Sequence, residues 1–75
     1  MDREVILVEK RLLRLDIDHY MNTGEIKSGW DDSPHKDDFK AYIDALQKHI
    51  PVPCDINEII ELEAIRRLEA RGAGG

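Results

Sequence analysis

Cysteine, proline and long apolar runs are all scarce in this chain of 75 residues. Its single cysteine, Cys54, excludes an internal disulfide and is typical of a reducing compartment, so the sequence predicts a cytoplasmic protein. The longest apolar run is Val5-Ile6-Leu7-Val8, which is too short for a signal sequence or a membrane span. We therefore expect no membrane partner.

Positive charge is also in the minority, with 11 Lys and Arg against 16 Asp and Glu and a formal net charge of -5. Such a surface repels phosphates on average, which disfavours a nucleic acid and favours a basic protein as partner. The length predicts one domain over residues 1–75, with a frayed tail at 72–75. A domain this small buries little surface, and a partner often supplies part of its stability.

The first predicted helix covers residues 3–21 and carries two apolar seams at helical spacing. One seam contains Val5, Val8, Leu12 and Leu15, and the other contains Ile6, Leu13, Ile17 and Tyr20. Asn22-Thr23-Gly24 is a typical helix end, because Asn or Gly can adopt the left-handed cap conformation.

Three acids spaced seven residues apart, Asp2, Glu9 and Asp16, lie between these two seams. Acids in that position are costly to bury without partners. The strip is therefore expected either to face solvent or to form interhelical ion pairs. For Glu9 and Asp16, the candidate partners are Arg66 and Arg67, from the same or a second chain.

Residues 22–33 predict a long loop, from which Ile26 and Trp30 are expected to fold back onto the core. Ser33-Pro34 then predicts a helix start, with Ser as the N-cap and Pro at the first helical position. The second predicted helix runs over residues 34–49. Its apolar stripe contains Phe39, Tyr42, Ile43, Leu46 and Ile50.

The third predicted helix covers residues 56–71 and begins after Asp55-Ile56-Asn57-Glu58, which matches a capping box with Asp in place of Ser. Its apolar residues do not share one face. Ile56, Ile59 and Ile60 lie on one side, and Leu62, Ile65 and Leu68 lie largely on the other. This pattern predicts an all-α, three-helix small domain whose last helix needs an oligomer or an obligate partner to cover it.

No arrangement of residues indicates catalysis, a metal or a cofactor, so we expect a protein that is not an enzyme. His35 and the acids around it offer no second His or Cys at ligand spacing. Cys54 precedes a helix, where its pKa could be lowered, and His49 lies five residues earlier. A buried or idle cysteine remains the simpler interpretation.

The chain resembles the acyl carrier proteins at two places. These are Asp32-Ser33 at the start of the second helix and Ile50-Pro51 after it. Acyl carrier proteins are small acidic helical domains, and the resemblance implies a phosphopantetheine arm on Ser33. Pro34 stands where that family has an apolar residue, and the third helix is longer than the family's pattern. A carrier is therefore the most distant of the alternatives.

The function that we predict is that of a small acidic interaction or regulatory module that docks on a basic protein; a phage or mobile-element origin is a hypothesis from size alone. The predicted partner-binding residues are Trp30, Asp31, Asp32, Ile59, Leu62, Ile65 and Leu68. Buried aromatic anchors surrounded by acids are typical of such surfaces. The alternative is a helical homodimer that serves as an assembly component or a DNA-associated regulator.

Overall fold

The chain forms three α-helices, with no strand in the part that the computed structural model describes, residues 2–72. They are α1 (Arg3–Thr23), α2 (Lys36–Lys48) and α3 (Ile56–Ala70), and a short 3-10 helix (Ser28–Trp30) lies in the connection between α1 and α2. The predicted all-α class and the long connection are confirmed. Gly72 still donates to the carbonyl oxygen of Glu69 at 3.0 Å, and residues 73–75 of the predicted frayed tail lie outside the described residues.

Local capping explains where α1 begins and ends and where α3 begins. The Asp2 carboxylate accepts a hydrogen bond from the N–H of Glu4, and the Asp55 carboxylate accepts one from the N–H of Asn57. Gly24 adopts the predicted left-handed conformation, with φ 74°, and donates to the carbonyl oxygen of Tyr20 at 2.8 Å. This glycine turns the chain away from α1 and into the long connection.

The start of α2 differs from the prediction by two residues. Ser33 does act as a local cap, since its Oγ accepts from the N–H of His35 at 3.0 Å, but Pro34 and His35 form a turn and the helix begins at Lys36. The same hydroxyl also donates to Glu63 of α3. The contact with Glu63 holds Ser33 against α3. The Ser33-Pro34 signal therefore marks the turn before α2, and the helix itself begins after that turn.

The connection between α1 and α2 supplies the centre of the core. The Trp30 ring is fully buried and stacks on Phe39 of α2, with ring centroids 4.2 Å apart and planes 20° apart. Tyr20 of α1 meets the edge of Phe39 at 6.1 Å. Around them lie the other buried members of the core cluster: Leu13, Ile43, Ile59, Ile60 and Ala64. The expected folding back of Ile26 and Trp30 is thus confirmed.

One chain covers more of α3 than the sequence predicted, while the need for an oligomer or a partner to cover the rest stays a prediction. Ile59 and Leu68, from the two supposed faces, are 5% and 3% exposed. The prediction missed the connection around Trp30, which packs against α3 in addition to α1 and α2. Only Leu62, 44% exposed, remains a large and clearly exposed apolar side chain on α3.

Candidate interaction surface

A buried carboxylate, Glu63 of α3, organises the polar side of the core. Its side chain has no exposed surface and accepts four hydrogen bonds. Arg66 binds both carboxylate oxygens, at 2.8 and 2.7 Å; Arg67 Nε donates at 2.6 Å; and the Ser33 hydroxyl donates at 2.6 Å. A buried charge with this many charge-assisted partners is well satisfied.

The hydrogen-bond partners of Glu63 lower its pKa by more than its burial raises it. Burial raises the pKa of the Glu63 carboxyl, but the hydrogen bonds from Arg66, Ser33 and Arg67 lower it more, and the pKa falls from 4.5 to about 2. The hydrogen bond to Glu63 in turn raises the pKa of Arg66. The cluster therefore stays fully ionised at neutral pH and acts as a structural clamp between α3 and the turn before α2.

Trp30 is held by polar contacts on its edge and its face. Its Nε1–H donates to Asp16 Oδ2 of α1 at 2.9 Å. The Arg67 guanidinium lies 5.3 Å from the centroid of the ring, within the range of a cation–π contact. Gly29 allows this approach, because a Cβ there would lie only 3.1 Å from Arg67 Nη2. These contacts fix the connection between α1 and α2 in place.

The predicted partner-binding residues do not form one surface. Trp30, Ile59 and Leu68 are core residues and cannot anchor a partner, which corrects their predicted role. Asp31 and Asp32 are exposed, and Asp31 binds Lys36 Nζ at 3.2 Å. Of the apolar residues predicted on α3, Leu62 is exposed and Ile65 is partly exposed. Trp30 serves the fold, in agreement with the expectation that it folds back onto the core.

The predicted ion pairs of Glu9 and Asp16 with Arg66 and Arg67 do not form. Glu9, only 5% exposed, pairs with Arg71 beyond the end of α3. Arg66 and Arg67 both turn to Glu63, and Asp16 is bound by the Trp30 indole. Glu9 and Asp16 of the acidic strip therefore both have partners. Arg66 and Arg67 bind Glu63 instead, because Glu63 lies one helical turn away from them on the same helix.

The two apolar seams of α1 differ in exposure, and the seam of Val5, Val8, Leu12 and Leu15, here called the α1 seam, is the exposed one. Its residues are 41%, 54%, 54% and 61% exposed. The second seam instead faces the core, with Leu13 buried and Ile6, Ile17 and Tyr20 packed against the cluster. The sequence showed both seams, but only the packing decides which of them is covered.

A groove follows the α1 seam where the helix passes the end of α3. It has a volume of about 450 Å³. Its apolar walls are Val5, Val8 and Leu12 of α1 and Leu68 of α3. Asp2, Glu4, Glu9 and Arg71 form its polar rim. The groove is open to solvent and offers an apolar floor with mostly acidic edges.

Cys54 and Ser33 show no sign of the chemistry considered from the sequence. Burial and the nearby carboxylates of Asp38 and Asp55 raise the pKa of the Cys54 thiol, and its Sγ lies 3.7 Å from the carbonyl oxygen of Asp38. A protonated thiol is a poor nucleophile. The buried Ser33 hydroxyl is engaged by Glu63 and by the backbone of His35, so it is not available to carry a phosphopantetheine arm.

No group of three or more His, Cys, Asp and Glu side chains is arranged to hold a metal ion within residues 2–72. Over the same range, none of the helices combines the length and apolar character needed to cross a membrane. Comparisons of the chain with protein-family models, with curated proteins and with solved structures gave no match. The case for a function therefore depends on the surface itself.

Proposed function

We propose that this chain is a small, non-enzymatic interaction module that binds a basic region of a protein partner in the cytoplasm. The observation that carries the proposal is the α1 seam, where three successive large apolar side chains, Val8, Leu12 and Leu15, are each more than half exposed. Contiguous apolar surface of this kind is uncommon on a monomeric protein unless it binds something.

The charge around the seam supports a basic partner. The chain carries a net charge of -5, and the groove beside the seam is lined by Asp2, Glu4 and Glu9 against one cation, Arg71. Acids at the edge of an apolar patch speed the approach of a basic partner and disfavour acidic ones. The docking surface proposed here thus differs from the one expected from the sequence, while the class of function stays the same.

A homodimer formed through the same seam is the second candidate. The spacing of the seam residues, three, four and three positions apart, is that of paired helices in coiled coils. Under this alternative the occupant of the seam is another copy of the chain. Light scattering of the purified protein over a range of concentrations distinguishes it, because only the dimer changes its apparent mass on dilution.

The test of the proposal compares proteins captured from the native host by three versions of the chain. These are the wild type, a double variant with Leu12→Ala and Leu15→Ala, and a Val52→Ala control. Val52 is 44% exposed in the connection between α2 and α3, at the opposite end of α3 from the groove. We expect to capture a partner with a basic contact region. The amount captured should fall at least about tenfold on the double variant and stay unchanged on the control. If no captured protein depends on the seam, the proposal is wrong.

A further inference from the structure

The groove along α1 has the form of a site for one more helix. Val5, Val8, Leu12 and Leu15 occupy the a and d positions of two heptads, over a length of roughly 15 Å. The nearly buried Leu68 of α3 and Arg71, just beyond the end of α3, line the groove beside them. A helix placed in this groove would lie on α1 and reach Arg71 at the end of α3, as neighbouring helices do in a bundle.

The positions that flank the seam are mostly acidic. In the same heptad register, the e and g positions are occupied by Glu4, Glu9, Arg11, Asp16 and Asp18. Arg11 is the only base among these five, and Arg71 compensates Glu9 from α3. The flanks therefore present net negative charge to anything lying on the seam.

A second copy of this chain does not complement those flanks. Parallel pairing would set Glu4 beside Glu9 of the other copy, which offsets the favourable contact of Arg11 with Asp16. Antiparallel pairing would bring Arg11 near its own counterpart. Both arrangements also bring together two chains of net charge -5. A helix with basic flanks avoids the repulsion between acids and between two acidic chains, and meets a like charge only at Arg11.

Building on the proposed function, we propose that the groove binds a basic amphipathic helix of the partner protein. Its apolar residues lie at a and d spacing on the α1 seam, and its Lys and Arg side chains lie against Glu4, Asp16 and Asp18. This is the helix-in-groove mode of recognition. A short helix must be ordered on binding, so micromolar affinity and strong dependence on salt are expected.

Three labelled peptides of about 14 residues, two heptads each, test this inference directly. The first has Leu at a and d positions and Lys at e and g; the second has the same composition in scrambled order; the third has Glu in place of Lys. Fluorescence anisotropy with the full-length chain measures the binding. We expect the first peptide to bind at least about tenfold more tightly than the other two. Its affinity should fall about tenfold for the Leu12→Ala, Leu15→Ala variant and stay unchanged for Val52→Ala.

Three results would overturn the inference. Equal binding of the scrambled basic peptide would mean that charge attraction alone is at work. A stable dimer that the first peptide cannot dissociate would mean that a second copy occupies the groove. If the peptides fail while a captured partner still depends on the seam, only the helical mode is wrong; if no partner depends on the seam either, the proposed function fails as well.

Discussion

The two faces of α1 lie in different environments. On the face towards the core, Asp16 and Tyr20 contact the Trp30 and Phe39 rings, and the charged cluster around Glu63 lies behind them. Lys10 and Glu9 contact Glu61 of α3 and Arg71 just beyond its end. On the other face, the α1 seam stays open. The comparison shows that polar residues as well as apolar ones complete the covered face, whereas the open face has apolar side chains without a covering element.

The largest effect on this contrast is expected from Trp30→Ala. Removing a fully buried indole should lower the free energy of unfolding by about 3–5 kcal/mol, because Phe39 loses its stacking partner and Asp16 and Arg67 lose theirs. For a domain of this size that is much of the total stability. Urea unfolding followed by far-UV circular dichroism measures it. Trp30→Phe, which keeps a ring but removes the Nε1–H, should lose less, and an alanine variant as stable as the wild type would contradict the core assignment.

The second largest effect is expected from acid, which should lower the free energy of unfolding through the Glu63 cluster behind the covered face of α1. The pKa of Glu63 is lowered from 4.5 to about 2 in the folded state, so its contribution to stability is fully present above pH 4.5 and is lost as the pH falls towards 2. A shift of this size corresponds to a contribution on the order of 3 kcal/mol. Urea midpoints measured at pH 7, 4.5, 3 and 2 should fall steeply in the last two steps.

Other carboxylates titrate over the same range, so the assignment to Glu63 needs its own control. Glu63→Gln should be less stable at pH 7, because Arg66 and Arg67 keep their charges without a carboxylate partner. Its stability should then depend less on pH below 4.5 than that of the wild type. If Glu63→Gln does not fold, Ser33→Ala removes only one hydrogen bond to the carboxyl and should move the acid transition to higher pH. An unchanged acid transition in the variant that folds would show that other groups are responsible.

Most of the fold followed from local signals in the sequence, whereas the position of the surface did not. Gly24, Asp55 and the helical periodicities determine where the helices lie, since these effects act within one or two turns. The pairing of Glu63 with Arg67 also follows from a local signal, their i, i+4 spacing on one helix. The choice between the two seams of α1, in contrast, depends on what packs against them. Arg71 was overlooked as the partner of Glu9, although the nearby Arg66 and Arg67 were considered, because the sequence does not show which turn of α3 lies beside Glu9. Long-range pairings of this kind leave no periodic pattern.

The smallest effect on stability is expected on the open face of α1, where Leu12 can be compared with its neighbour Leu13 on the covered face. Leu12 is 54% exposed and Leu13 only 1%. Leu12→Ala should change the free energy of unfolding by less than about 0.5 kcal/mol, since alanine keeps the helix and little packing is lost. Leu13→Ala, one residue along the same helix, should cost about 2–5 kcal/mol by leaving a cavity in the core. Thermal and urea unfolding of the two variants side by side measures the difference. Equal losses would mean that the α1 seam is already covered, by a second copy in solution, and the open groove would then have no place for a partner helix.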